Sequence, residues 1–186
     1  DNNTKNIRTA FLLNFAFTII EIVGGIMTNS VAIFSDAVHD LGDSLSLGLA
    51  WYFQKLSQKE SDSNYSYGYK RYSVIGALIN TIVLLIGCVF ILSNTIPRLI
   101  HPEEVNPQGM IFLAALGIIV NGIAVFNLKK GSSLNERVVS LHLFEDVLGW
   151  VAVLIGAIIM LFWDVPIIDP ILSILITTYI LYNVFK

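Results

Sequence analysis

The chain has 186 residues, of which 55% are hydrophobic and 13% are charged, and its formal net charge at pH 7 is −3. Soluble domains average about 45–50% apolar and about 25% charged residues, so this composition excludes an ordinary soluble domain and favours a membrane protein. The charge gives no indication of a nucleic-acid partner, and none is predicted. The single cysteine, Cys88, cannot form an internal disulfide and is interpreted as a packing residue.

Six apolar segments are each long enough to cross a hydrocarbon core of about 30 Å, which takes about 20 helical residues. They lack the alternation of barrel strands, so the sequence predicts an all-α membrane protein with six transmembrane helices. No domain boundary is visible, so residues 1–186 are predicted to form one six-helix transmembrane domain. The predicted spans are 7–27, 30–53, 72–96, 107–128, 134–163 and 166–185.

The basic residues are distributed unevenly between the two sides that these spans define. Basic residues are concentrated in the cytoplasmic loops of membrane proteins, so this asymmetry predicts that both termini are cytoplasmic. Only Arg98 falls on the opposite side. The residues on the cytoplasmic side are Lys5, Arg8, Lys55, Lys59, Lys70, Arg71, Lys129, Lys130, Arg137 and Lys186.

Two predicted helices each carry a histidine and an aspartate four residues apart. An ionisable side chain at the centre of a membrane helix costs on the order of 2.5–3.5 kcal/mol by insertion scales, so its presence indicates function. His39 and Asp43 share one face of the second helix, one turn apart, and His142 and Asp146 repeat that spacing in the fifth. Two imidazoles and two carboxylates suit a tetrahedral site for one divalent cation such as zinc.

The two pairs are predicted to lie at similar depths, about 12–21 Å from the inner helix ends at 1.5 Å per residue. Because the two helices are antiparallel, we expect His142 nearest Asp43 and Asp146 nearest His39. Two carboxylates and two neutral imidazoles carry a charge of −2, which one divalent cation neutralises. Protons compete with metal for the same ligand atoms, so the cluster predicts exchange of metal for protons by alternating access.

Other polar residues in the predicted helices leave alternatives open. Asp36 either orients the imidazole of His39 or lines an outer vestibule. Asp40 and Glu145 are offset around their helices from the ligand faces and are weaker candidates for ligands. Glu21 is interpreted as reaching water near the outer end of the first helix. Three amides in apolar helices are interpreted as interhelical hydrogen-bond partners: Asn14, Asn80 and Asn121.

Three separated motifs resemble those of the cation diffusion facilitator family, in its branch with a transport site of two His and two Asp. They are the run 29–43, the loop 65–71 and the His142-xxx-Asp146 pair. The resemblance covers essentially the whole chain. It implies a homodimer that exports cytosolic zinc, and often cadmium or cobalt, by proton antiport, with an inner-membrane location in a bacterium. It also implies that His39, Asp43, His142 and Asp146 are the transport ligands, with Zn²⁺ as transported substrate and no organic cofactor.

The chain departs from that family in two respects. Family members continue after the sixth helix into a cytoplasmic metal-binding domain, and the 186 residues of this sequence contain no such segment. Some members also have a second metal site with histidines between the second and third helices, but residues 54–72 contain no His. We therefore do not predict that second site.

The His/Asp pairs have three other interpretations. A buried ion-pair network would lock the helices together, but the repeated pairing is unnecessary for that purpose. An intramembrane metalloenzyme needs an open coordination position and a general base, typically in a His-Glu-x-x-His run, which the chain lacks, so we predict that it is not an enzyme. A channel or metal sensor is the third alternative, but channels need several weak sites along a pore. One compact cluster favours a carrier.

Overall fold

The computed structural model describes residues 2–57, 72–128 and 134–185. These ranges contain six α-helices, which confirms the prediction of an all-α fold with six helices. The loop at residues 58–71, which carries one of the family motifs, lies outside the described residues. The helices are α1 (Asn2–Thr28), α2 (Val31–Ser57), α3 (Tyr72–Ile100), α4 (Pro107–Leu128), α5 (Leu134–Trp163) and α6 (Ile168–Phe185).

The helices have the composition and surface of a membrane-embedded bundle. Among the described residues, three segments are long and apolar enough to span a bilayer, namely Leu78–Ile100, His142–Trp163 and Ile168–Phe185. α1 and α4 contribute the shorter apolar segments Asn14–Thr28 and Pro107–Ile123. Many large apolar side chains are exposed around the bundle, including Ile86, Phe90, Phe112 and Phe162. Such a surface is unfavourable in water and suits contact with lipid tails, so the chain is an integral membrane protein.

Several helices continue past the limits of their apolar runs. α1 begins before residue 7, α2 continues past residue 53, and α3 continues past residue 96, whereas α6 begins at Ile168. Backbone hydrogen bonding does not require apolar side chains, so a helix can extend beyond the hydrocarbon core. Pro97 lies within the last turn of α3, where the N–H of His101 still donates to the Pro97 carbonyl at 2.9 Å.

We call the end of the bundle at which α1 starts and α6 finishes the inner end, because the basic segments flank it in the sequence. At the opposite, outer end, Asn29 has φ 55° and lets the chain reverse between α1 and α2. Arg98 donates to the backbone oxygen and to Oδ1 of Asn29, each at 2.8 Å. It also pairs with Glu103 at 2.8 Å. The one basic residue predicted for this side therefore fastens the α3–α4 loop to the α1–α2 turn.

A buried apolar cluster joins α2, α4 and α5 and fixes the position of α5. Trp150 is 1% exposed and lies against Gly117 of α4, where an added Cβ would be 2.5 Å from the indole ring. Phe17 of α1 meets that indole edge-on, with ring centroids 6.0 Å apart. The fully or nearly buried members of the cluster are Ile33, Met110, Ala114, Trp150, Val153, Ala157 and Met160.

Side-chain amides from both neighbouring helices hold α2 in place. Asn14 of α1 donates to the backbone oxygen of Asp40 at 3.1 Å and to Ser44 Oγ at 3.0 Å. Asn80 of α3 donates to Ser46 Oγ at 2.8 Å. The interhelical role predicted for Asn14 and Asn80 is confirmed, while Asn121 is buried in α4. These bonds limit the rotation and sliding of the helix that carries His39 and Asp43.

Candidate metal centre

The structure brings the four predicted ligand side chains together between α2 and α5. Nε2 of His142 lies 2.9 Å from Oδ2 of Asp43 and 3.9 Å from Oδ2 of Asp146. Nε2 of His39 lies 3.7 Å from Oδ2 of Asp43 and 3.9 Å from Oδ1 of Asp146. As expected from the antiparallel helices, His142 is closer to Asp43 than to Asp146, but Asp146 is no nearer to His39 than to His142, at 3.9 Å from each. The two imidazole rings meet edge-on, with centroids 5.8 Å apart.

These separations are close to those of a tetrahedral site. Bonds of about 2.0–2.1 Å to a central ion place neighbouring ligand atoms about 3.3 Å apart. Ligand atoms of His39, His142 and Asp146 all lie within 4.8 Å of one another, and Asp43 contacts both histidines. Three of the four ligand side chains therefore already lie close enough to share one ion, and Asp43 lies next to both histidines.

Exposure within the cluster increases toward the inner end. The pair nearer the outer end is well covered, with side-chain exposures of 15% for His39 and 10% for Asp146. The inner pair is more open, at 29% for Asp43 and 38% for His142. Solvent therefore reaches the cluster more readily from the inner side of the bundle.

A cavity of about 350 Å³ lies beside the outer pair, between α2, α5 and α6. His39 and Asp146 line it, and Asp43 and His142 do not. Gly149 leaves room on the α5 side, because the nearest atom to an added Cβ would be Asp36 Oδ1 at 4.0 Å. The outer pair of ligands therefore faces this cavity, and the inner pair does not. The residues lining the cavity are Asp36, His39, Glu145, Asp146, Leu148, Gly149, Leu175, Ile176 and Tyr179.

The three acids whose roles were left open lie around the cluster. Asp36 is 7% exposed and lines the cavity. Asp40 is buried beside Glu21 of α1. Glu145 is exposed and accepts a hydrogen bond from the hydroxyl of Tyr179 on α6. None of the three belongs to the group of four facing ligand side chains.

The interpretation of Glu21 as a residue that reaches water is wrong. Glu21 is 0% exposed, and its two carboxylate oxygens have no hydrogen-bond partner among the described residues. The cause is the packing of α1 against α2, which covers the face of α1 that carries Glu21 and places it beside Asp40. The position of Glu21 near the outer end of α1 suggested that it reaches water. Position along a helix does not determine which of its faces is covered by a neighbouring helix.

Sequence reasoning missed two polar residues of α6, one beside the cluster and one at the outer end of the bundle. Tyr179 contacts the cluster, since its ring lies edge-on to that of His39 with centroids 6.0 Å apart. No pattern in α6 distinguishes this tyrosine from its apolar neighbours. Asp169 is fully buried at the start of α6 and was also overlooked. The cost of placing an ionisable side chain in a membrane helix drew attention to Asp43 and Asp146. It applies equally to Asp169, so the sequence contained the information needed to single out this residue.

The fold and the cluster define a class of protein: a six-helix integral membrane protein with a compact His/Asp cluster, suited to binding a cation, inside the bundle. A comparison with family models matches residues 7–186 to the cation efflux transmembrane domain. The chain belongs to this cation efflux family, whose members are transporters rather than enzymes.

Curated relatives agree with that membership. The chain is 34% identical over 191 residues to a "Cadmium, cobalt and zinc/H(+)-K(+) antiporter" of Bacillus subtilis, covering 99% of this chain and 61% of the relative. It is 33% identical over 189 residues to the "Zinc transporter ZitB" of Yersinia pseudotuberculosis, covering 100% and 61%. It is 34% identical over 181 residues to the "Metal cation efflux system protein CzcD" of Cupriavidus metallidurans, covering 96% and 57%. The chain thus spans about three fifths of the length of these relatives.

Proposed function

We propose that this chain is the transmembrane part of an exporter that moves a divalent cation out of the cytosol in exchange for protons. Zinc is the first candidate, and cadmium and cobalt are the next. The cation is the transported substrate, and its ligands are His39, Asp43, His142 and Asp146. One observation carries the proposal: each of the two imidazole Nε2 atoms lies 2.9–3.9 Å from an oxygen of each of the two carboxylates.

The charge of this group favours binding of a doubly positive ion. Two carboxylates and two neutral imidazoles carry −2, and an uncompensated charge is unfavourable inside a membrane. One divalent cation brings the sum to zero. Imidazole and carboxylate ligands must lose their protons before they bind metal, so uptake of protons and release of metal are linked at the same atoms.

The asymmetry of the cluster supports alternating access. The inner pair is the more exposed, so an ion from the cytosol meets Asp43 and His142 first. The outer pair faces the cavity between α2, α5 and α6. An ion bound by all four side chains can therefore leave toward the cavity when the helices shift. The direction of transport follows from the predicted cytoplasmic position of the inner end.

The names of the relatives support the choice of substrates. The Bacillus subtilis relative is named for cadmium, cobalt and zinc and for antiport with protons and potassium. The Yersinia relative is named for zinc. We propose the same group of metals for this chain, in the cell membrane of a bacterium. Assembly as a homodimer stays a prediction of the family resemblance.

Transport by the purified chain in lipid vesicles tests the proposal. We expect zinc to accumulate in vesicles with an acidic interior, as followed by an internal zinc-sensitive dye, and the rate to saturate with zinc concentration. The double variant His39→Ala, Asp43→Ala should lose this transport. A matched control is His101→Ala, which changes a histidine in the exposed outer loop. Normal transport by the double variant would refute the proposed site, and a rate that never saturates would favour a channel.

A further inference from the structure

The cavity beside the cluster has a definable inner end. Along the chain α5 runs toward the outer end, whereas α2 and α6 run toward the inner end. The innermost lining residue is therefore the lowest-numbered on α5 and the highest-numbered on α2 and α6. These three residues are Glu145, His39 and Tyr179. The inner end of the cavity is thus formed by one residue from each helix.

The three residues contact one another at that end. The hydroxyl of Tyr179 donates a hydrogen bond to Oε2 of Glu145, which joins α6 to α5. The ring of Tyr179 also lies edge-on to the imidazole of His39, at an interplanar angle of 84°. We call the hydrogen bond between Glu145 and Tyr179 the Glu145–Tyr179 bridge. It spans the seam between α5 and α6 next to a candidate metal ligand.

The position of Glu145 in the membrane makes this bond important. Glu145 lies about 16 Å from the start of α5 at 1.5 Å per residue, three residues into the apolar segment His142–Trp163. A carboxylate at such depth is unfavourable unless it is paired or hydrogen-bonded. Hydrogen bonds to charged groups are also stronger than those between neutral groups. The bridge therefore has a strong tendency to stay formed while the helices remain in this arrangement.

We infer that the Glu145–Tyr179 bridge is a gate that closes the cavity from the inner side of the membrane. The inference rests on the proposed function, because a carrier that exchanges metal for protons must never open to both sides at once. In this structure the inner pair of ligands is already accessible from the inner side. A second opening through the α5–α6 seam would connect that side with the cavity and bypass the four ligands. The bridge closes the seam at this point.

The gate is linked to the candidate centre by the geometry of α5. Glu145 directly precedes Asp146 and lies three residues after His142, on the same helix. A rotation or shift of α5 that moves the two ligands therefore also moves Glu145 relative to Tyr179. Opening of the bridge and displacement of the bound ion are thus expected to occur together.

Reactivity of a cysteine placed in the cavity measures this closure directly. Gly149→Cys introduces the probe, because its side chain has space in the cavity, and Cys88→Ala removes the buried native thiol. A membrane-impermeant cationic methanethiosulfonate reagent is added from the inner side of vesicles that hold the purified chain. The rate of modification then reports how freely the cavity communicates with that side.

Four variants in this background separate the hydrogen bond from charge and packing. Tyr179→Phe removes only the hydroxyl, and Glu145→Ala breaks the same bond from the other helix. Both should raise the inner-side reaction rate about tenfold, the equilibrium change expected for loss of one hydrogen bond to a charged group. Glu145→Gln keeps an oxygen that accepts the Tyr179 proton but loses the charge, so its rate should lie between those of the parent and Glu145→Ala. Tyr182→Phe, outside the cavity lining on the same helix, should also leave the rate unchanged.

The outcomes distinguish this inference from the proposed function. A gate is refuted if Tyr179→Phe and Glu145→Ala react no faster than Tyr182→Phe, or if Glu145→Gln reacts as fast as Glu145→Ala. Reaction from the outer side is the reference and should be equal in all four variants. Because thiol reactivity needs no transport, it can support the gate even if the chain fails to move zinc. A parent chain that does not bind zinc would refute the proposed function but not the gate.

Discussion

Two buried polar groups lie along α2, and they differ in whether their hydrogen bonding is complete. Near the outer end, Asp169 of α6 accepts from Ser30 Oγ at 2.6 Å and from the N–H groups of Val31 and Ala32 at 2.8 and 3.2 Å. It therefore acts as a cap for the first turn of α2. In the middle of the bundle, the four His/Asp side chains face one another, and one pair alone lies at hydrogen-bond distance.

The hydroxyl groups next to Asp169 extend the complete network through three helices. Ser173 of α6 shares hydrogen bonds with Ser35 of α2 at 2.7 Å and with Thr95 of α3 at 2.8 Å. Ser35 also donates to the Val31 carbonyl at 2.7 Å. Every group in this network finds its partner within the chain, so it stabilises the fold. The His/Asp cluster instead leaves acceptor atoms for an ion. Substitutions in the network should therefore lower the stability of the fold, and substitutions in the cluster should lower metal affinity.

The largest effect on stability is expected from loss of the α2 cap. Asp169→Ala removes the acceptor for three buried donors, and unsatisfied buried donors cost about 1–3 kcal/mol each. We expect the free energy of unfolding to fall by about 3 kcal/mol or more. Asp169→Asn keeps one acceptor oxygen and should lose less. Thermal unfolding in detergent micelles measures both, and an Asp169→Ala chain as stable as the parent would contradict the assignment of a structural role.

The next effect concerns metal affinity, with stability retained. His142→Ala removes one of the four proposed ligands, so zinc affinity should fall by more than about 100-fold, the upper limit for loss of a partner that only orients a ligand. The metal-free chain should unfold at nearly the parent temperature, because no completed network is broken. Isothermal titration with zinc and thermal unfolding give the two values. If the His142→Ala chain is strongly destabilised without metal and still binds zinc, His142 has a structural role and is not a ligand.

A lower pH should weaken zinc binding by the His/Asp cluster and leave the hydrogen bonds of Asp169 intact. As the pH falls, protons occupy ligand atoms that the metal needs, so zinc affinity decreases, by about tenfold per pH unit for each proton displaced. We expect at least about tenfold weaker binding at pH 6 than at pH 8. Titrations at both values test this sign. Equal affinity at the two values would exclude competition between metal and protons.

A smaller effect on stability is expected for the hydroxyl network. Ser173→Ala removes the bonds to Ser35 and Thr95, which should cost about 1–2 kcal/mol with zinc affinity unchanged. The matched control is Ser93→Ala, because Ser93 is exposed on α3 and its hydroxyl donates to the nearby Phe90 carbonyl of the same helix. If both variants lose equal stability, the buried network has no special role.

The sequence predicted the parts of this molecule that depend on local spacing and on the cost of burying charge. The pairs His39/Asp43 and His142/Asp146 follow from helical periodicity, and the six helices follow from apolar length. The covered face of Glu21 and the contact of Tyr179 depend instead on how α1 and α6 are rotated about their axes. Both helices are apolar around most of their circumference, so their sequences do not specify a packed face.

The last pair of variants compares the space around two of the glycines in α4 and α5. Gly149 borders the cavity, so Gly149→Ala should keep or slightly raise stability, by up to about 1 kcal/mol from helix propensity. Gly117 faces Trp150, whose ring would be 2.5 Å from an added Cβ, so Gly117→Ala should cost about 1–3 kcal/mol. Thermal unfolding of both variants tests whether α5 has free space at Gly149 while it is tightly packed at Trp150. Equal destabilisation by the two changes would mean that the cavity closes in the folded chain, and that an ion leaving His39 and Asp146 has no space to enter.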